Sequence, residues 1–231
     1  MCVFLVIIEV KHMRKARSLI PSQIKKVLKK CLLMQEPELK RAALVLSLST
    51  LRVSELVQIT ISDLLLPTGE IKTELHLRAA LCKRRRSRTV WLSRQTKLIL
   101  QEWLDCRKRK KWAITFDNEY QGLNPKSKVL LNNRGRSFSM KRKTRYNKNN
   151  ERVGYLACDV LELSLRNIYQ RYGFRGASSH SGRRSYTSNM NAAGVPLETI
   201  QRALGHKEPS MSIEYIDVYE SQLIKASKLA F

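Results

Sequence analysis

Four side chains in the last quarter of the chain are spaced as a phosphate-handling site would need them. His180 stands three residues before Arg183, a Gly205-His206 pair follows, and Tyr215 comes nine residues after His206. Two imidazoles, a guanidinium and a phenol suit an oxyanion such as a phosphodiester better than they suit a metal ion. The intervening chain has the punctuation needed to bring them to one place. Gly194 and Pro196 separate two helix-like runs, Gly182 to Asn191 and Leu197 to Leu204. His and Arg at i and i+3 share one face of the first helix. The second returns His206 to the neighbourhood, and Tyr215 follows on a short segment with Ile213 and Ile216 as apolar anchors.

The whole run HSGRRSYTSNMNAAGVPLETIQRALGHKEPSMSIEYIDV resembles the carboxy-terminal catalytic region of the tyrosine recombinases, the phage integrase family. By that resemblance His180, Arg183, His206 and Tyr215 fall on the second half of an active site. Upstream, Ser49-Thr50-Leu51-Arg52-Val53-Ser54-Glu55-Leu56 is similar to the family's T-G-L-R-x-x-E-L segment. The resemblance makes Arg52 the first catalytic arginine and Glu55, one helical turn on, an acidic residue that holds the site together. Thr50 stands where the family usually has Gly. Aligning Arg88-Thr89-Val90-Trp91-Leu92 to the family's V-P-L-like strand implies a catalytic lysine at Lys83. Its neighbours Arg84, Arg85 and Arg86 make that alignment degenerate, and a run of phosphate-contacting charges is the competing reading.

The residue types fit metal-free phosphodiester cleavage, which needs an in-line nucleophile, positive charge on the non-bridging oxygens and a proton for the leaving oxygen. Arg52 and Arg183 offer planar forks of paired donors. His180 and His206 add donors and exchange protons near a pKa of about 6.5. The resemblance gives Lys83 the task of protonating the leaving 5′ oxygen and makes Tyr215 a 3′-phosphotyrosyl ester. A phenol, with a pKa of about 10, leaves far more easily than a sugar alkoxide. The bond energy is therefore conserved, and the expected cofactor set is empty: no ATP and no essential divalent ion, since no two-metal carboxylate cluster occurs. Of the eight tyrosines, the step from His206 selects Tyr215. Tyr219 then reads as packing and Tyr186 as core.

Composition names the partner more firmly than the reaction. The chain has 231 residues, with 44 Lys and Arg against 19 Asp and Glu, for a net charge of +25. Such an excess points to a polyanion, nucleic acid first and an anionic membrane surface second, and the family resemblance makes the partner double-stranded DNA. Five cysteines, none in a C-x-x-C pair, and four histidines give no zinc-ligand spacing and fit a reduced, cytoplasmic protein. The apolar opening run Met1 to Ile8 is too short to span a bilayer, so no membrane partner is expected.

The elements that must position these residues begin with Ser22, a candidate N-cap for a helix carrying Ile24, Val27, Leu28, Cys31 and Leu32. Pro37 opens a second helix to about Ser49, nearly continuous in apolar residues and hence central. Ile71, Thr73, Leu75 and Leu77 alternate as a half-buried strand, with Arg88 to Leu92 as its antiparallel return. Ser93 caps a helix to about Lys111 with Leu98, Ile99, Trp103 and Leu104 inward, and Val129 to Leu131 is at most a short strand. Asn132 to Arg152 carries eight Lys or Arg with no periodicity and reads as an exposed basic loop. Tyr155 to Tyr172 resumes helical spacing through Val160, Leu163, Ile168 and Tyr169. The fold expected is mainly α with a small antiparallel β-sheet, an α+β arrangement.

Residues 1–20 form an unassigned lead segment and 21–231 a catalytic domain in this reading. The expected DNA contacts are Arg84, Arg85, Arg86 and Arg88 at the first hairpin and Lys141, Arg142, Lys143 and Arg145 in the basic loop. The tail residues Leu223, Ile224, Leu229 and Phe231 pack at home or on a neighbouring copy. Family members usually carry an upstream helical clamp domain, for which the 51 residues before Arg52 leave no room. The resemblance implies a recombinase that assembles as a tetramer on DNA. Two competitors share the fold: an accessory DNA-binding module without recombination, and a type IB topoisomerase-like nicking and closing enzyme.

Overall fold

The computed structural model describes residues 15–82, 86–147 and 149–228. The opening run Met1 to Ile8, Cys2, and the tail residues Leu229 and Phe231 lie outside them. The centre of the fold is the second helix. Helix α1 spans Pro21–Cys31 and α2 Pro37–Leu48, each with proline in its first turn, where the missing N–H is not needed. Ala42 through Ser47 are all buried along α2. A helix apolar on every side belongs inside a core, and its alanines let neighbours approach closely. Ser22 does not cap α1. Pro21 already occupies the first turn, and the backbone N–H of Ile20 donates instead to the Gln23 Oε1, at 3.2 Å.

Two one-turn helices follow, α3 (Val53–Leu56) and α4 (Ile61–Leu64), then strands β1 (Glu74–Leu77) and β2 (Arg88–Trp91). The strands pair antiparallel, with Leu75 opposite Val90 on the buried face. Thr73 falls before the strand and is exposed, although Ile71 is buried through its bridge to Leu65. Helix α5 spans Arg94–Arg109, and the Ser93 Oγ accepts from the Thr96 N–H as expected of an N-cap. Its inward face is Ile99, Leu100, Trp103 and Leu104, whereas Leu98 is exposed. The Trp103 indole and the fully buried Arg107 guanidinium donate to the carbonyls of Lys128 and Val129. Residues 128–131 thus find partners for their backbone without forming a regular strand.

The stretch read as a basic loop contains a second antiparallel hairpin, β3 (Lys141–Tyr146) with β4 (Arg152–Ala157). Nearly every residue on both its faces is exposed, so the hydrophobic alternation that announces a strand is missing. Helix α6 accordingly begins later than its spacing suggested, at Asp159, and runs to Arg171. It buries Leu161, Leu165, Ile168 and Tyr169, while Val160 and Leu163 face solvent. Helices α7 (Ser181–Ala192), α8 (Leu197–Leu204), α9 (Pro209–Ile213) and α10 (Glu220–Ser227) complete the described chain. The result is mainly helical with two small antiparallel sheets. No described helix is long and apolar enough to cross a membrane.

Residues just ahead of α1 belong to this body. Leu19 is fully buried, its N–H donates to the Ser185 Oγ at 2.8 Å, and the Asn189 amide donates to its carbonyl at 3.1 Å. The four cysteines among the described residues are free and buried. In α10, by contrast, Leu223 and Ile224 remain exposed and do not pack in their own protomer.

Helix α7 crosses α2 at Gly182. A Cβ there would sit 2.6 Å from the Ser47 carbonyl oxygen and 2.5 Å from its Oγ. Gly182→Ala should therefore push α7 off the central helix and cost about 1–3 kcal/mol. Urea unfolding of the two proteins measures the difference, and equal midpoints would refute the tight crossing.

Candidate active site

The site is built around a carboxylate. Glu55 lies in the only turn of α3 with zero exposure, and it reaches back to the residue that starts the helix. Its Oε2 accepts from the Arg52 backbone N–H at 2.8 Å and its Oε1 from the Arg52 Nη1 at 3.0 Å. A second guanidinium arrives from β2, where the Arg88 Nη2 donates to the same Oε2 at 2.5 Å. Arg88, expected among the DNA contacts, instead has a side chain only 7% exposed. Arg52 keeps 25% of its side chain open, and so presents charge outward while Glu55 holds it from behind.

Thr50 explains how the chain turns into this arrangement. Its φ of +74° lies in the left-handed region, where the family's usual glycine is unstrained. The threonine is compensated by what surrounds it. The Arg88 Nη1 donates to its Oγ1 at 3.1 Å, and its carbonyl accepts from Arg88 Nη2 at 3.1 Å and Arg183 Nη1 at 2.8 Å.

Arg183, on α7, is 2% exposed and carries no carboxylate partner of its own. Its Nη2 donates to the Leu204 carbonyl at 2.5 Å and meets the His206 Nε2 at 3.0 Å. Burial, followed by the charges of Arg52 and Arg88, presses its pKa below the usual arginine value. Gly205 makes this convergence possible. It ends α8 at a φ of +64°, and a Cβ there would lie 2.6 Å from the Arg88 Cδ.

The contact to Arg183 also assigns the His206 tautomer. A guanidinium can only donate, so Nε2 accepts and the proton sits on Nδ1, which donates to the Ser212 Oγ at 2.9 Å. Burial, then Arg183, Arg52 and Arg88, lower the His206 pKa to about 4. At neutral pH the ring is uncharged, which corrects the expectation of a freely titrating imidazole. The Tyr215 ring completes the group, its centroid 5.4 Å from that of His206 and 5.6 Å from the Arg183 guanidinium carbon. Ile213 does not anchor the tyrosine segment, being 56% exposed.

The structure thus brings together Arg52, Glu55, Arg183, His206 and Tyr215, and adds Arg88. His180 occupies the N-cap position of α7, one turn ahead of Arg183, and is exposed. Lys83, Arg84 and Arg85 lie outside the described residues, and Arg86 is exposed beside them. Lys141, Arg142, Lys143 and Arg145 stand on β3, with Lys143 paired to Asp159. Among the described residues no group of His, Cys, Asp or Glu could hold a metal ion. Among the described residues of the cluster, Arg52 and Arg88 share the buried Glu55 carboxylate and Arg183 adds a third guanidinium charge beside them, an imbalance that an anionic ligand would offset.

The buried neutral His206 ties stability to pH. Its folded pKa is depressed, so between about 6.5 and about 4 the unfolded chain binds a proton that the folded chain does not. Stability should fall as pH is lowered through that window. The His206→Gln variant should show a shallower fall, measured by urea unfolding at pH 7 and pH 5. Parallel curves for both proteins would refute the assignment.

The fold has counterparts among solved structures. XerA recombinase superposes with a TM-score of 0.65 at 16% identity, covering 94% of this chain and 65% of that one. XerH recombinase in a post-cleavage complex with palindromic difH substrate gives 0.63 at 18%, covering 92% and 52%. A lambda integrase dimer bound to a COC′ core site gives 0.56 at 15%, covering 88% and 48%. The chain therefore spans about half to two-thirds of the length of these proteins. At such identities the likeness shows the fold, that of the tyrosine recombinase catalytic domain. No curated protein matches by sequence. The phage integrase family model matches residues 17–222, nearly the whole described chain. The chain belongs to the phage integrase family.

Proposed function

We propose that this chain is the catalytic part of a site-specific DNA recombinase that cuts and rejoins strands through Tyr215. The observation that carries the reading is the packing of the Tyr215 ring against Arg183 and His206, inside a cluster with more guanidinium than carboxylate charge. The Tn1549 transposon integrase, which has the same fold at a TM-score of 0.58 and 16% identity, was solved in complex with transposon right end DNA, and this supports DNA as the ligand.

In this mechanism the scissile phosphate neutralises the excess charge. Arg52, held from behind by Glu55, offers its open side to one non-bridging oxygen, and Arg183 stabilises the charge that grows in the transition state. The Tyr215 oxygen bonds to phosphorus as the bond to the 5′ oxygen breaks. The phenolic proton leaves, and the 5′ oxygen gains one, from Lys83 by the family resemblance. His206, neutral and with its Nε2 lone pair turned to Arg183, orients that guanidinium. His180, exposed at the N-cap of α7 one turn ahead of Arg183, supplies a further donor. Reversal by a second 5′ hydroxyl restores the diester, and a homotetramer on DNA, in the cytoplasm, would exchange strands.

Duplex contact falls to the exposed Arg86 ahead of β2 and to Lys141, Arg142, Lys143 and Arg145 on the second hairpin, with Arg84 and Arg85 added from their charge and sequence position alone. The hairpin exposes both faces and has Tyr146 at 69% exposure, so it has little to bury unless a partner covers it.

The first test is a nicked suicide duplex carrying the cognate junction, or a pool of randomised sites, resolved on a denaturing gel with chelator present. A protein–DNA adduct should form and vanish in Tyr215→Phe. DNA binding without adduct would favour an accessory module, and supercoil relaxation without exchange a topoisomerase-like enzyme. Replacing Lys141, Arg142 and Arg145 by Ala should weaken binding. It should also flatten the slope of log K against log salt by about 0.9 for each phosphate that the variant no longer neutralises. An unchanged slope would remove the hairpin from the DNA path.

A further inference from the structure

Helix α7 presents two adjacent arginines in different directions. Arg183 enters the site, whereas Arg184, about 100° round the helix, meets the segment that carries Tyr215. Arg184 is 5% exposed. Its Nη1 donates to the Glu214 carbonyl at 2.7 Å, and its Nη2 pairs with the Asp217 carboxylate. One turn on, the Ser188 hydroxyl donates to the Tyr215 carbonyl at 3.3 Å and accepts from the Asp217 N–H at 2.9 Å. Beyond it the Tyr219 hydroxyl donates to the Asn189 Oδ1 at 3.0 Å. Residues on both sides of Tyr215 are thus tied to one helix, the helix that also carries Arg183.

We infer that Arg184, with Asp217 and Ser188, is a latch that positions the Tyr215 segment against its own α7, and that Arg184 is a positioning residue for the nucleophile. The inference rests on the proposed role of Tyr215. Such a device adds to modest packing of the segment itself: Ile213 is 56% and Val218 60% exposed, and Ile216, next to Tyr215, is only part-buried. The Arg184–Asp217 pair is shielded on the arginine side, with side chains 7% and 35% exposed, which strengthens it relative to a surface pair. The latch fixes backbone at positions 214, 215 and 217, leaving the phenol ring to reach phosphorus.

The test compares two nucleophiles. In Arg184→Ala and Ser188→Ala, adduct formation on the nicked duplex should slow by about tenfold or more in single turnover, with DNA affinity unchanged. Arg184→Lys should restore part of the rate. In a Tyr215→Phe background, hydrogen peroxide replaces the phenol: the hydroperoxide oxygen bonds to phosphorus, the same bond to the 5′ oxygen breaks, and a 5′-hydroxyl end is released. A latch that acts only on the tyrosine predicts equal peroxide cleavage with and without Arg184→Ala. Parallel loss of both reactions would overturn it, because Arg184 would then support the phosphate site itself. Undiminished adduct formation in Arg184→Ala and Ser188→Ala would overturn it too. Amide hydrogen exchange at 214–219 gives a reading independent of activity. Exchange should quicken in Ser188→Ala and Asp217→Asn, and unchanged exchange would refute the latch even in a fully active chain. Absence of both adduct and peroxide cleavage in the unaltered and Tyr215→Phe chains would instead count against the recombinase reading, with the exchange experiment still deciding the latch.

Discussion

The site depends on one buried carboxylate. Glu55, with zero exposure, receives the Arg52 backbone, the Arg52 side chain and the Arg88 side chain. Without its charge, two guanidiniums would face each other and Arg183 across a space shielded from water, where like charges repel more strongly than at the surface. With it, three residues distant in sequence, on α3, β2 and α7, are held within reach of one anion. The carboxylate does not cancel the cluster; it offsets one charge of three. The pairing with Glu55 limits the repulsion within the cluster, and a positive potential remains.

Local strain is placed where this network can tolerate it. A threonine at a φ of +74° costs about 1–2 kcal/mol relative to glycine. Thr50 is nevertheless kept in that conformation by donors from two arginines on its carbonyl and one on its hydroxyl. The hydroxyl contact is one that glycine could not make. The threonine thus exchanges backbone ease for a further bond to Arg88.

Much of this was legible in the sequence, for identifiable reasons. Helix α8 was read with its observed ends because Pro196 and Gly205 punctuate it, and α5 because Ser93 caps it. The spacing of His180, Arg183, His206 and Tyr215 implies that they meet, and the last three do; Arg52 joins them through the family resemblance. The second hairpin was not legible, because Lys141–Tyr146 buries neither face and so lacks alternation. Joining its return strand to the next helix in turn misplaced the phase of α6 and put Val160 and Leu163 inside. Arg88 and Arg184 were hidden for another reason. An arginine's sequence neighbourhood does not say whether its partner is a phosphate or a carboxylate, and here the partners are 33 residues away in both cases.

The two arginines of α7 show how the fold separates binding from delivery. Arg183 has no carboxylate partner among the described residues and donates to two carbonyls and a neutral imidazole, so its charge is not matched there. Arg184 has its charge matched by Asp217 and directs its donors to the segment around Tyr215. Had both been paired with acids, the site would lose its attraction for an anion. Had neither been, the tyrosine segment would lose its ion pair and rest on Ile216, only part-buried, and on Ile213 and Val218, more than half exposed. A single helix carrying one of each relates the Arg183 charge to the segment around Tyr215 through two adjacent positions of one turn. Its close crossing with α2 at Gly182 then fixes both to the core.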